Sequence, residues 1–148
     1  MKKDSVWAVT PAHNEQRNIA ETIKKTKRYV GKVVIVDDGS TDNTREIAER
    51  LGATVLSHIV NLGKGAALKT GCDYAFKNGA EHVIVLDADC QHRPEDIPRF
   101  IEKLQKYDIV FSYRKASSKM PMVLRLGNWF ISNVVKALYG VGLNDTQC

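Results

Sequence analysis

Short apolar runs that each break into polar residues, separated by stretches of helical periodicity, constrain this chain more than any other feature. "SVWAVT" (5–10) is rich in β-formers and ends at Pro11. "KVVIVDD" (32–38) is apolar without interruption until its two aspartates, as in a strand covered on both faces. "ATVLSH" (53–58), "EHVIVLDAD" (81–89) and "YDIVFSY" (107–113) supply a third, fourth and fifth strand. Between them, "NIAETIKKTKRYV" (18–30) places Ile19, Ile23, Thr26 and Val30 at helical spacing. "STDNTREIAERLG" (40–52) opens with capping residues and closes at Gly52. "GKGAALKTGCDYAFKNG" (63–79) reads as a helix stopped by Asn78-Gly79, and "RPEDIPRFIEKLQK" (93–106) as a helix with prolines near its start. "MVLRLGNWFISNVVKALYG" (122–140) is amphipathic and helical in pattern. Such alternation predicts an α/β fold, a mostly parallel, Rossmann-like sheet with helices on both faces.

Composition narrows the class. A chain of 148 residues suits one domain spanning 1–148, and 43% hydrophobic with 26% charged residues is typical of soluble globular proteins. No run approaches the roughly 18 apolar residues of a membrane helix. The N-terminus has no apolar core ahead of its polar residues, so no signal peptide is expected. Cys72, Cys90 and Cys148 form no CxxC pair and read as reduced thiols of a cytosolic protein. The net charge of +5 fits either an ordinary basic surface or attraction to a nucleotide or phospholipid surface. Without an aromatic RNA-binding signature, nucleic acid is not an expected partner.

In open parallel sheets ligands bind beyond the carboxyl ends of the strands. The predicted strands end in "PAHNE", "DDGSTD", "DADCQH" and "SYR", which puts four polar clusters on one edge. Asp87 and Asp89, at i and i+2 where a strand is ending, can reach one point and then repel one another unless a cation neutralises them, or they are a pair of solvated loop acids. A hard divalent ion, Mg²⁺ or Mn²⁺, in an oxygen shell resolves that repulsion, with Gln91 adding an oxygen and His92 a nitrogen. Asp37 or Asp38 can accept hydrogen bonds from a base or ribose, while Ser40, Thr41 or Asp42 caps the following helix. Glu15 can bind ribose or base, or Asn14 and Glu15 simply start a helix. Arg114 and Arg125 carry guanidinium forks suited to a diphosphate, or are solvated.

Several familiar sites are excluded. "LGKGAALKTG" (62–71) lacks the spacing of a P-loop, and its glycines are expected to allow close helix–sheet packing. No G-x-G-x-x-G follows strand one, and no G-x-S-x-G occurs. A sugar-phosphate nucleotidyltransferase needs a glycine-rich loop after its first strand, and "PAHNEQRN" has no glycine.

Taken in order, "TPAHNE", "VVIVDDGSTDNT", "NLGKGAALKTG", "VIVLDADCQHRPEDIP", "IVFSYRK" and "GLNDTQC" resemble the family 2 glycosyltransferases of the GT-A fold. The nearest pattern is that of polyprenyl-phosphate sugar transferases of the dolichol-phosphate mannose synthase type. Their R…N…G…D…C region is matched by Arg125, Asn128, Gly140 or Gly142, Asp145 and Cys148. The resemblance implies that Pro11, His13 and Glu15 contact a sugar nucleotide and that Asp38, with Asp37, reads base or ribose. It places Asp87, Ala88 and Asp89 at the diphosphate and metal, with Gln91 completing the coordination. Arg114 and Arg125 would hold phosphates, and Asp145 would lie near the acceptor. The implied reaction moves a hexose from a GDP- or UDP-sugar to a polyprenyl phosphate, with inversion and a bound Mg²⁺ or Mn²⁺. The implied location is cytoplasmic, at the cytosolic face of a membrane in the full-length protein.

Two departures qualify the expectation. "SYR" stands where many mannose synthases have "GSR" and looks more like the "GYR" of bacterial polyprenyl transferases. The chain ends at Cys148, where the pattern continues with Gly-Phe, so a donor-binding fragment is expected. A nucleotide-binding domain without turnover and a transferase with a non-lipid acceptor remain as alternatives. The 122–140 segment reads either as a core helix, with Asn128, Asn133 and Lys136 on its wet face, or as a membrane-surface helix.

Overall fold

The computed structural model describes residues 2–112. Residues to Lys106 belong to one compact unit, and the chain from Tyr107 onward to a second. Within the first, four parallel strands form a sheet: β1 (Val6–Ala12), β2 (Lys32–Asp38), β3 (Thr54–His58) and β4 (His82–Val85). Their order is β3-β2-β1-β4. The helices are α1 (Ile19–Thr26), α2 (Thr44–Arg50), α3 (Lys64–Lys77) and α4 (Ile97–Leu104).

Alternation along each strand assigns the two faces. Val6, Ala8, Val33 and Ile35 pack against Ile19 and Ile23 of α1, Ala48 of α2 and Ile97 of α4. Trp7, Val9, Val34 and Val36 face Ala67 and Ala75 of α3. Both faces are therefore covered, which is why these strands read as unbroken apolar runs. Ile19 and Ile23 are completely buried, and removing each from water contributes roughly 1.5–3 kcal/mol. Thr26 and Val30, expected on the same face, are buried as well. Helix α3 approaches the sheet through Gly71, where a Cβ would lie 2.4 Å from Val9 Cγ1 and 2.9 Å from Val36 Cγ2. Close packing thus falls to Gly71, whereas Gly63 and Gly65 face open space. Gly63 is needed for its φ of 90°.

Several boundaries differ from the sequence reading. Strand β1 continues through Pro11 to Ala12. The β1–β4 ladder has already ended at Val9↔Val85, so the missing proline N–H disturbs no pair on that side. For the same reason β4 stops at Val85, and residues 86–92 form a loop in which Cys90 takes a φ of 61°. Asp87 and Asp89 therefore sit on a turn, not on one strand face. Helix α2 starts at Thr44 because residues 40–43 are tied to the β1–α1 loop: Asp42 accepts N–H groups from both Thr44 and Gln16. The 93–106 helix divides into a 3-10 turn at Pro94–Asp96 and α4. The described part of the expected fifth strand, residues 107–112, is irregular; it joins no ladder, and β-formers without a paired neighbour do not make a strand. The 122–140 segment lies outside the described residues. Among the described residues no helix is long and apolar enough to cross a membrane.

Candidate functional site

The strand order changes direction at β1: β2 and β3 are laid down on one side and β4 on the other. A crevice opens at such a switch point, between the loops that leave the two diverging strands. Here it is a cavity of about 280 Å³ lined by Pro11, Ala12, His13, Glu15, Asp38, Asn61, Lys64, Asp87, Ala88 and Asp89. Seven of the sequence-predicted site residues thus meet in one place: Pro11, His13, Glu15, Asp38, Asp87, Ala88 and Asp89.

Two loops build the β1–β2 wall by exchanging hydrogen bonds. Asn14, in the left-handed region at φ 56°, donates its N–H to Ser40 Oγ at 2.9 Å and accepts the Thr41 N–H at 2.9 Å. Asparagine tolerates that conformation better than other side chains. The Glu15 N–H donates to Thr44 Oγ1 at 2.8 Å, and its carboxylate accepts from Asn18 Nδ2 at 2.9 Å. His13 Nδ1–H donates to the Asp38 carbonyl at 2.9 Å. The loop is consequently rigid, and its carboxylate and imidazole are held at the rim of the cavity.

Asp38 is the electrostatic anchor. Its Oδ1 accepts from His58 Nδ1–H at 2.7 Å and from the Leu62 N–H at 2.9 Å, and its Oδ2 from the Gly63 N–H at 2.8 Å. The Thr70 hydroxyl faces His58 Nε2 at 3.0 Å and completes the chain. Burial is the largest single influence and works against the charge. The Leu62 N–H, His58 and the Gly63 N–H together outweigh it and hold the carboxyl below the usual carboxylate range. The consequence is a fixed β3–α3 loop and a fixed start to α3. Gly39 permits the close approach, since a Cβ there would lie 2.7 Å from Asn61 N. Asp37, although adjacent, is buried and turned away: its Oδ1 accepts the Ser40 N–H at 3.2 Å.

The β4 side is built differently. Asp87 is half-buried, and the Lys64 ammonium lies 2.6 Å from its Oδ1 and 2.9 Å from its Oδ2. The Asp87 N–H donates to His92 Nδ1 at 3.0 Å, and the other ring nitrogen, Nε2, lies 3.8 Å from Asp87 Oδ2. Asp89 Oδ1 accepts the Gln91 N–H at 2.9 Å. The Gln91 side chain is exposed and is not among the residues lining the cavity. Arg114, Arg125 and Asp145, with Asn128, Gly140, Gly142 and Cys148, lie outside the described residues.

The donor set bears on metal binding. No group of three or more His, Cys, Asp or Glu that could hold a metal occurs among the described residues. Two carboxylates lining one cavity, one of them already neutralised by a cation, nevertheless suit a hard divalent ion that takes its remaining ligands from a diphosphate and water. The residues fit a cation shared with a ligand and do not fit an all-protein cage.

Lys64, His58, Asn61 and Thr44 escaped the sequence reading as functional or scaffolding residues. For two of them the structure shows what their positions in the sequence meant. Lys64 stands between glycines at the start of a helix whose N-terminus points to the polar edge, and His58 ends β3 opposite Asp38 in the ladder.

Residues 7–138 match the family model described as Glycosyl transferase family 2. The undecaprenyl-phosphate 4-deoxy-4-formamido-L-arabinose transferase of Pseudomonas paraeruginosa is 34% identical over 158 residues, covering 98% of this chain and 45% of that protein. The UDP-N-acetylglucosamine–dolichyl-phosphate N-acetylglucosaminyltransferase of Methanococcus voltae is 28% identical over 166 residues, covering 96% and 66%. Among solved structures, glucosyl-3-phosphoglycerate synthase of Mycobacterium tuberculosis, in complex with Mn²⁺, UDP and glucosyl-3-phosphoglycerate, superposes with a TM-score of 0.57 at 29% identity, over 68% of this chain and 39% of that one. The chain spans between 45% and 66% of the length of these two curated relatives.

Proposed function

From a chain that belongs to glycosyl transferase family 2, we propose a donor-binding unit of a transferase that moves a hexose from a GDP- or UDP-sugar to a polyprenyl phosphate. The observation that carries this reading is the single cavity in which Asp87 and Asp89 face His13, Glu15 and Lys64 across the switch point of the sheet. The acceptor class comes from the two relatives, whose names specify undecaprenyl and dolichyl phosphate. That acceptor is a membrane lipid, and the reading places the full-length protein at a membrane surface, its cytosolic face.

In the mechanism, Pro11, His13 and Glu15 form the wall against which the nucleoside lies. The Asp38 carboxylate holds the β3–α3 loop in place and presents Lys64 to the diphosphate. Asp87 and Asp89 would hold Mg²⁺ or Mn²⁺, the ions with which the mycobacterial synthase was crystallised. A cation held there supplies Lewis-acid screening of the charge that develops on the departing diphosphate. Arg114 and Arg125 are assigned to phosphate binding and Asp145 to positioning the acceptor. A phosphate acceptor is already anionic at neutral pH, so the transfer asks little of a general base. The anomeric carbon is attacked opposite the leaving diphosphate, and the configuration inverts.

Calorimetric titration of UDP, GDP and their hexose conjugates, with and without Mn²⁺, tests this. Metal-dependent binding of one nucleotide, lost in Asp89→Ala, is expected. Binding that ignores both the metal and the substitution would refute the assignment of the two aspartates.

A further inference from the structure

The ion pair between Lys64 and Asp87 has a consequence for how the donor is taken up. We infer that Lys64 occupies the Asp87 carboxylate in the donor-free protein and moves to the diphosphate when the donor binds, so that divalent cation and nucleotide diphosphate each favour the other's binding. The inference rests on the reading above, because it needs a cation at Asp87.

The geometry is one of competition. The ammonium lies within 2.9 Å of both Asp87 oxygens, so it occupies the lone pairs a divalent ion would use. The two cations repel one another, so each weakens the other's hold on the carboxylate. The backbone of Lys64 is fixed: it follows Gly63, whose N–H is bound by Asp38 Oδ2, and it opens the 14-residue helix α3. Its side chain is 57% exposed, so the ammonium is free to reorient. Lys64 and both aspartates line the same cavity, so the ammonium reaches a diphosphate placed there without backbone movement.

The two states follow. Without donor, a divalent ion must displace Lys64 and leave its ammonium in solvent, so it binds weakly. With a nucleoside diphosphate present, Lys64 gains a second anionic partner, Asp87 is released and the diphosphate adds ligand oxygens. Thermodynamic reciprocity requires the cation to raise nucleotide affinity by the same factor. The device therefore discourages futile occupation of the site by cation alone.

Binding of Mn²⁺ to the 148-residue chain, followed by the electron paramagnetic resonance signal of the free ion, tests this with and without UDP. Lys64→Met is expected to bind Mn²⁺ alone about three- to tenfold tighter than the wild type, the effect of removing a partly exposed competing charge. The same variant should bind metal-free UDP more weakly, and the enhancement of Mn²⁺ binding by UDP should shrink. Lys64→Arg should resemble the wild type. Lys69→Met makes the same charge change on α3, where Lys69 pairs with Asp73 instead, and should leave Mn²⁺ affinity unchanged. If Lys64→Met weakens UDP but leaves Mn²⁺ alone unaffected, Lys64 is only a phosphate ligand and the inference fails while the proposed function stands. An equal gain in Lys69→Met would reduce the effect to net charge and also overturn it. If Mn²⁺ binds none of these proteins even with UDP or GDP, the metal assignment falls, and the inference falls with it.

Discussion

The end of β2 brings one aspartate, Asp38, to the cavity and the loop after β4 brings two, Asp87 and Asp89, yet the two sides are built on opposite principles. Asp38, at the end of β2, is buried and takes hydrogen bonds from two backbone N–H groups and His58. Asp87, beyond β4, is half-buried, and its carboxylate is held by a flexible lysine, Lys64, with His92 Nε2 3.8 Å from its Oδ2. The first is satisfied by the protein itself and organises the loops. The second is held by a partner that can leave. A carboxylate already saturated by backbone donors has little left to offer a ligand, whereas one neutralised by a mobile charge can exchange it for another cation. We read these strand ends as dividing into scaffold at Asp38, which also lines the cavity, and site at Asp87, according to who supplies the donors.

Removing each carboxylate breaks the comparison most directly. Asp38→Ala leaves the Leu62 and Gly63 N–H groups and His58 without their shared acceptor, so a loss of about 3–5 kcal/mol is expected. Urea denaturation measures it, and a loss below about 1 kcal/mol would mean that the anchor is dispensable.

The next effect concerns what the two regions share. Helix α3 carries Lys64 at its start and lies on Val9 of β1 and Val36 of β2 through Gly71. Gly71→Ala forces a methyl group into both valines, and overpacking of this kind costs about 1–3 kcal/mol. Gly65→Ala, in the same helix but facing open space, should instead stabilise by up to about 1 kcal/mol. Thermal unfolding of the two variants should therefore move in opposite directions.

These contrasts also mark what was legible beforehand. Strands β1 and β2 and the polar edge could be read because burial on both faces leaves uninterrupted apolar runs that end where the sheet ends, and the half-buried β3 and β4 from short β-rich runs. The ends themselves could not: Pro11 continues β1 because its ladder to β4 has already finished, a fact of register between residues about 75 positions apart. The acidic clusters were visible as clusters. Their different roles were not, because the partners that distinguish them, His58, Leu62 and Gly63 for Asp38 and Lys64 for Asp87, are 20 to 25 residues away in sequence. A lysine between two glycines gave a signal about backbone freedom and none about where its charge would be spent.

Acid titration sharpens the comparison at a smaller scale. The Asp38 carboxyl is held below its ordinary pKa, so its folded value lies below its unfolded one. Its contribution to stability is complete above the unfolded pKa, near 4, and is lost as pH falls through the folded pKa. Asp38→Asn cannot titrate and should flatten the acid limb of the stability–pH curve below about pH 4. An unchanged limb would assign the acid sensitivity to other groups, Asp42 first, whose carboxyl is also held low despite its burial, by hydrogen bonds from Thr44 and Gln16.

The smallest effect on folding belongs to the residue with the largest expected effect on binding. Asp87→Ala removes a carboxylate whose side chain is 23% exposed and whose partner is a 57% exposed lysine, and pairs of this kind contribute about 0–1 kcal/mol. Lys64, freed, returns to solvent, and no buried donor is stranded, because the Asp87 N–H that meets His92 belongs to the backbone and survives the substitution. Stability within about 1 kcal/mol of the wild type is therefore expected, alongside loss of Mn²⁺-dependent nucleotide binding. Urea midpoints and nucleotide titrations on one preparation decide the matter. A large loss of stability would place Asp87 with Asp38 as scaffold, and the division between the two strand ends would collapse.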